Sequence, residues 1–150
     1  MMPNLVYAGR LERFIAYIID SSVLLVAATL LSTLGGAQSL FAIAGSIACQ
    51  LAYIIVSTAS PWQATPGQRM MGMYVAKLDG KLLTERDAFE RFLAYVMPTL
   101  PINLSIAPLE VLAMASMWLV IAWFSPILWR HDRRGVHDVL CNTVVLSGKR

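Results

Sequence analysis

The sequence predicts an all-α fold: a polytopic membrane helical bundle of three to four membrane segments, with a small cytoplasmic loop of hairpin character. Three observations predict it. Of the 150 residues, 57% are hydrophobic and 14% charged, against about 25% charged in an ordinary soluble domain. The apolar residues gather into runs of bilayer-crossing length, about 20 residues each. The basic residues gather in three places instead, Arg10 to Arg13, Arg69 to Arg91 and Arg130 to Arg150. Together these describe a single membrane domain over 1–150, with no room for a separate soluble one.

The first span is expected from about Phe14 to Leu34, closing at Gly35 and Gly36. It outruns the apolar region of a signal peptide, and further spans follow, so it reads as a retained helix. The second runs from about Leu40 to Ala59 and closes at Ser60-Pro61-Trp62. Trp62 suits the membrane interface, and Tyr53 suits either an interface or helix packing. The short uncharged linker from Gly35 to Ser39 makes these two spans a tight hairpin.

A polar segment follows. Met73 to Leu78 has strand character, and Asp79-Gly80 is a turn signal. Thr84 with Asp87 three residues later marks a capped helix start. Ala88, Phe89, Phe92 and Leu93 give that helix one apolar face, as in an interfacial helix leading into the membrane. Phe92 to Leu109 carries no charge, but Pro98, Pro101 and Pro108 interrupt it, and Val111 to Trp129 is a clean span. Three passes would place Arg130, Arg133 and Arg134 across the membrane from the other basic clusters. A fourth pass over 92–108, broken or re-entrant, brings all three clusters to the cytoplasmic side. The expectation is therefore four passes with both termini cytoplasmic.

Composition and spacing exclude several functions. The net charge of +3 comes without the basic and aromatic surface of a nucleic-acid binder. Cys49 and Cys141 are expected as free thiols. His131 and His137 lack metal-ligand spacing, so no metal site is expected. The stretch Thr65 to Gly72 lacks the spacing of a phosphate loop. No nucleophile–base arrangement stands out, and neither enzymatic activity nor a cofactor is expected.

What remains is charge in an apolar chain. An acid within a span costs at least about 2.5–3.5 kcal/mol on insertion scales, so Asp20 needs a partner or a task. Arg13 lies seven positions earlier, on the same helix face two turns away. Ser21 and Ser22 follow directly, and Gln50 of the second span can face Asp20 across the hairpin. Asp20 then reads as a hydrogen-bonded staple, or as an ion- or proton-binding carboxylate with Ser21 and Gln50 lining the site. Gly45, Ser46, Ala48 and Ala52 give the second span a small-residue face for close helix contact.

Three segments resemble one family. Arg13-Phe-Ile-Ala16-Tyr-Ile-Ile-Asp20 is similar to the opening R-x-x-A-x-x-I-D of the RDD family of small, mostly bacterial membrane proteins. Thr65-Pro-Gly67-Gln68-Arg69-Met-Met-Gly72-Met-Tyr-Val75 resembles its T-x-G-K-x-x-x-G-x-x-V loop, with Gln68 in place of the common lysine. Arg134-Gly135-Val-His137-Asp138 through Thr143-Val144-Val145 resembles its closing segment. The arginine and two aspartates of the family name fall on Arg13, Asp20 and Asp138. The resemblance implies a multi-pass protein of the bacterial inner membrane. Some members are associated with sodium/proton exchange, and others look like accessory parts of membrane complexes.

The expectation that follows is a sodium- or lithium-ion/proton antiporter, or a subunit of one, built on Asp20. The competing expectation is a non-catalytic scaffold or accessory subunit. Arg13, Asp20, Arg134 and Asp138 form the expected charge network, with Asp138 pairing Arg13 or Arg134 to lock the tail beneath the bundle. The expected partners are the lipid bilayer, a monovalent cation and a proton, and either further copies of the chain or a larger membrane complex.

Overall fold

A computed structural model describes residues 6–36, 39–99 and 109–148. Two long helices form the hairpin that the short linker dictates: α1, Arg10–Gly35, and α2, Leu40–Ala59. At 1.5 Å per residue, the 26 residues of α1 reach about 39 Å, longer than the roughly 30 Å hydrocarbon layer. The surplus turn and a half carries Arg10 and Arg13 out of the apolar region. Ser39 caps α2 by accepting the Ala42 N–H at 3.1 Å. Gly45 faces α1 closely: a Cβ there would come within 3.2 Å of the Leu31 side chain.

After α2 the chain forms a one-turn helix α3, Pro66–Met70, and a strand β1, Met73–Lys77. A capped helix α4, Glu85–Val96, runs on into a 3-10 turn, Met97–Thr99. Thr84 and Asp87 close the α4 capping box, the Asp87 carboxylate accepting the Thr84 N–H at 2.8 Å. The third apolar helix is α5, Leu109–Phe124, continued past a turn by α6, Pro126–Trp129. A second short helix α7, Val136–Leu140, leads into β2, Thr143–Ser147. The stretches Arg10–Gly35, Leu40–Ala59 and Val111–Trp129 are long and apolar enough to cross a membrane. The pass expected over 92–108 lies mostly outside the described residues, which there include only 92–99.

The strand expected at 73–78 forms, and so does the turn at Asp79–Gly80, where the Gly80 N–H reaches Lys77 O at 2.9 Å. Its partner is the tail. β1 and β2 pair antiparallel from Met73 opposite Ser147 to Lys77 opposite Thr143. On β2's other side the Ala8 N–H donates to Val145 O (3.1 Å) and the Ser147 N–H to Val6 O (2.8 Å). Asn142 supplies the sharp entry to β2 in a left-handed conformation, φ 51°, which asparagine adopts more readily than most residues. Residues 6–8 thus cover part of β2's outer edge, which limits its pairing with another chain.

This ribbon, not the helix hairpin, holds the packed core. Ala8, Ala16, Met73, Val75, Leu83 and Val145 form one buried cluster, and Ala76, Val144 and Leu146 a second. In the most apolar windows of the three long helices only 6%, 6% and 11% of residues are buried within the chain. Leu25, Val26, Leu30, Leu34 and Trp118 are therefore outward-facing, as lipid-solvated helices require. The start of α1, the segment between α2 and α4, and the tail all meet at one polar end.

Candidate functional site

Two aspartates organise that polar end. Asp20 lies four turns before the end of α1 and is half-buried. Its Oδ1 accepts from the Tyr53 hydroxyl at 2.7 Å and from the Gly67 N–H at 2.8 Å. Its Oδ2 accepts from the Thr65 hydroxyl at 2.6 Å. Three elements thus converge on one carboxylate: α1 supplies it, α2 donates through Tyr53, and the cap and first turn of α3 donate through Thr65 and Gly67. Thr65 is also the N-cap of α3, and Gln68 reaches back from the third helical position to accept the Thr65 N–H at 3.1 Å. An anion beside a helix start with unsatisfied N–H groups is electrostatically favourable.

Glycine at 67 is a steric requirement of this arrangement. A Cβ there would lie 2.5 Å from the Ala16 carbonyl and 2.8 Å from the Asp20 carboxyl. Gly67→Ala is accordingly expected to push α3 off α1 and to cost about 1–3 kcal/mol, as overpacked sites do. Chemical denaturation of the detergent-solubilised protein measures it, and an unchanged midpoint would contradict this close packing.

Of the residues expected around Asp20, Ser21 is half-buried and Gln50 exposed. Neither is among its donors. The α2 residue that reaches Asp20 is Tyr53, one turn beyond Gln50. Arg13 does not join Asp20 either, because it points to the second acid.

Asp138 is fully buried, and two arginines share it. Arg13 Nη1 donates to Oδ2 at 3.1 Å, and Arg91 Nη1 is 2.6 Å from Oδ1. The Gly135 N–H donates to Oδ2 at 3.2 Å, so Asp138 also closes the start of α7. His137 Nε2 lies 3.4 Å from Oδ1. Arg91 also donates to the Thr143 hydroxyl at the head of β2. Arg134 takes a backbone role instead, donating to Asp138 O at 3.1 Å and Thr143 O at 2.9 Å. Arg133 ties the tail to the residues ahead of α1 through Tyr7 O (3.2 Å) and Ala8 O (3.0 Å).

Burial alone would raise the Asp138 carboxyl, but Arg91, His137, Arg13 and the Gly135 N–H outweigh it and hold the group below its usual range. Burial pushes His137 the other way, down to about 4, only partly offset by Asp138 and reinforced by Arg91 and Arg13. The ring is therefore neutral at physiological pH, wedged against Tyr95 at 5.7 Å and Phe124 at 5.0 Å between centroids.

The sign of the resulting pH dependence follows directly. An unfolded histidine binds its proton near pH 6.5 and the folded one only near 4, so stability falls as pH drops between those values. His137→Phe, which keeps an aromatic ring against Tyr95 and Phe124, is expected to flatten that part of the profile. Melting temperatures at pH 7 and pH 5 check it, and an equal drop in both proteins would refute it.

Arg91 is the site residue that sequence reasoning missed. Its signal was present: residues 88, 91, 92 and 95 share one helix face, and an arginine among Ala88, Phe92 and Tyr95 requires a buried acid. Tyr53, Thr65 and Gly67 around Asp20 gave weaker signals, since each depends on where α3 docks. Among the described residues no cluster of histidine, cysteine or acidic side chains could hold a metal ion.

Asp20 and Asp138 thus each fix one joint of the polar end, with Arg13 at the second. A model of the RDD family matches residues 7–142. The chain belongs to the RDD family. The three residues of the family name split into an Arg13–Asp138 pair and a separate Asp20 staple. No curated protein and no solved structure matches the chain. Family membership and three apolar helices make this RDD protein an integral membrane protein.

Proposed function

We propose that this RDD protein is a non-catalytic membrane subunit: a scaffold or accessory component whose apolar helices pack against further copies or a larger membrane complex. One observation carries the reading. The one acid within the apolar part of a described span, Asp20, has its carboxylate engaged by three protein donors that tie α1, α2 and α3 together. Using that carboxylate for exchange would require breaking the joint at every cycle. The exposed stripe of Ala44, Ala48 and Ala52 on α2 supports the same reading, because small residues at four-residue spacing let helices approach closely.

The alternative is sodium- or lithium-ion/proton exchange at Asp20. What favours it is the oxygen-rich surround, in which Tyr53 and Thr65 hydroxyls and the Asp20 carboxylate lie within hydrogen-bonding distance. Proteoliposomes holding the purified wild-type protein or Asp20→Asn separate the two. The scaffold reading expects no cation-dependent proton flux from either. Flux carried by the folded wild type and lost in the mutant would replace it with exchange.

The orientation is part of the proposal. With the start of α1 and the tail at one end, we read the chain as crossing an even number of times, in keeping with the four passes expected from the sequence. The positive-inside rule puts that basic end in the cytoplasm of a bacterial inner membrane. Labelling of Cys141 in inverted but not right-side-out vesicles is the expected result.

A further inference from the structure

Beside the Asp20 joint, on the outer side of α3, lies an open groove of about 530 Å³. Its lining includes Trp62, Arg69, Met70, Gly72, Tyr74 and Gly148. Trp62 comes three residues after the end of α2, which sets the groove at the level where a membrane helix leaves the hydrocarbon. Trp62 and Met70 are 48% and 73% exposed, large apolar groups turned outward at that level. Tryptophan is the residue most at home there.

The Arg69 guanidinium lies over the Trp62 ring, 4.0 Å from its centroid. Among the described residues no carboxylate pairs with it, although the chain's other buried or clustered arginines find one or find carbonyls. A cation–π contact consumes none of the five guanidinium N–H donors, which stay available to an anion. A guanidinium with free N–H donors can engage two oxygens of a phosphate. At Gly72 a Cβ would meet nothing within 4 Å, so that part of the lining is open to an incoming group.

We propose that this groove binds the phosphate of an anionic phospholipid. Arg69, held by Trp62, clasps the phosphodiester, and Trp62 and Met70 contact the glycerol and upper acyl chain. The occupant is a lipid rather than a free phosphate because one wall is apolar and the groove sits at the membrane boundary. An anionic lipid is favoured because the groove brings one unpaired cation and no acid for a headgroup ammonium. Gln68 takes no part: it is engaged with the Thr65 N–H at 3.1 Å, and the adjacent Arg69 provides the cation.

Native mass spectrometry of the intact protein, released from neutral detergent with phosphatidylglycerol or phosphatidylcholine added, tests this. Phosphatidylglycerol is expected to be retained preferentially by the wild type. Arg69→Gln should reduce that retention about tenfold or more, the loss expected when one charged hydrogen-bonding group is removed. Trp62→Leu should weaken it less. Both positions are exposed, and a circular dichroism melt verifies that each variant is folded. Equal retention of the two lipids, or unchanged phosphatidylglycerol retention in Arg69→Gln, would overturn the proposal. Displacement of the lipid by millimolar glycerol phosphate would overturn it too, by assigning the groove to small phosphates.

Discussion

Asp138→Asn is expected to be the most damaging single substitution in this protein. It removes the one anion between Arg13 and Arg91, whose side chains are 11% and 9% exposed, and leaves two buried guanidiniums facing each other. Breaking one partner of a buried pair costs about 3–5 kcal/mol, chiefly because the remaining charge has nothing to compensate it. The loss should be visible as reduced accumulation in the membrane and a lower unfolding midpoint in detergent, with the three long helices retained. Adding Arg91→Met to Asp138→Asn should recover part of the loss, because it deletes one of the orphaned cations. A cycle of the two single variants and the double measures that coupling, and strict additivity would show that the two groups do not interact.

The same carboxylate sets an acid limit. Its folded-state value is depressed, so its contribution is complete above the ordinary carboxylate value near pH 4 and is lost as pH falls from there toward the folded value. The wild type should lose stability steeply below about pH 4, on top of the shallower His137 effect at higher pH. Asp138→Asn should lack the lower step while keeping the upper one. If both proteins lost stability in parallel below pH 4, other carboxylates would have to carry the acid transition.

How much of this was readable beforehand depends on the range of the interaction. The long helices follow from apolar run length, which the bilayer enforces locally, although the first starts at Arg10 rather than Phe14 and the third is interrupted at Ser125, and the α4 cap follows from Thr84 and Asp87. The pairing of β1 with β2 was not readable. A strand followed by Asp79-Gly80 points to a local hairpin, and nothing local says that Thr143 to Ser147 lies alongside. The charges divided in the same way. Arg13 and Asp20 are two turns apart on one helix face, which suggested mutual influence. The tertiary fold instead turns Arg13 toward the tail and leaves Asp20 to uncharged donors. Gln50 looked like the α2 partner because it is polar in an apolar run. Tyr53 fills that place because its longer side chain carries a hydroxyl across the hairpin to Asp20.

Asp20 therefore gives the second large prediction, and it separates a joint from a transport site. Asp20→Ala removes the acceptor for the Tyr53 hydroxyl, the Thr65 hydroxyl and the Gly67 N–H at once. A buried donor left unsatisfied costs about 1–3 kcal/mol; because the site is only half-buried, the lower figure applies to each, and the sum is about 3 kcal/mol. Asp20→Asn keeps one acceptor oxygen but must turn an NH2 toward a donor, so its cost should fall between wild type and alanine. The location of the damage is as informative as its size. Hydrogen exchange should rise in residues 65–72, where α3 loses its anchor, more than in the ribbon. Thr65→Val should destabilise the wild type more than it destabilises Asp20→Ala, where the hydroxyl has lost its acceptor and only its cap bond to the Gln68 N–H remains to lose. A carboxylate kept for ion exchange predicts the opposite pattern. Asp20→Asn would then be as stable as the wild type, α3 would exchange no faster, and only flux would change.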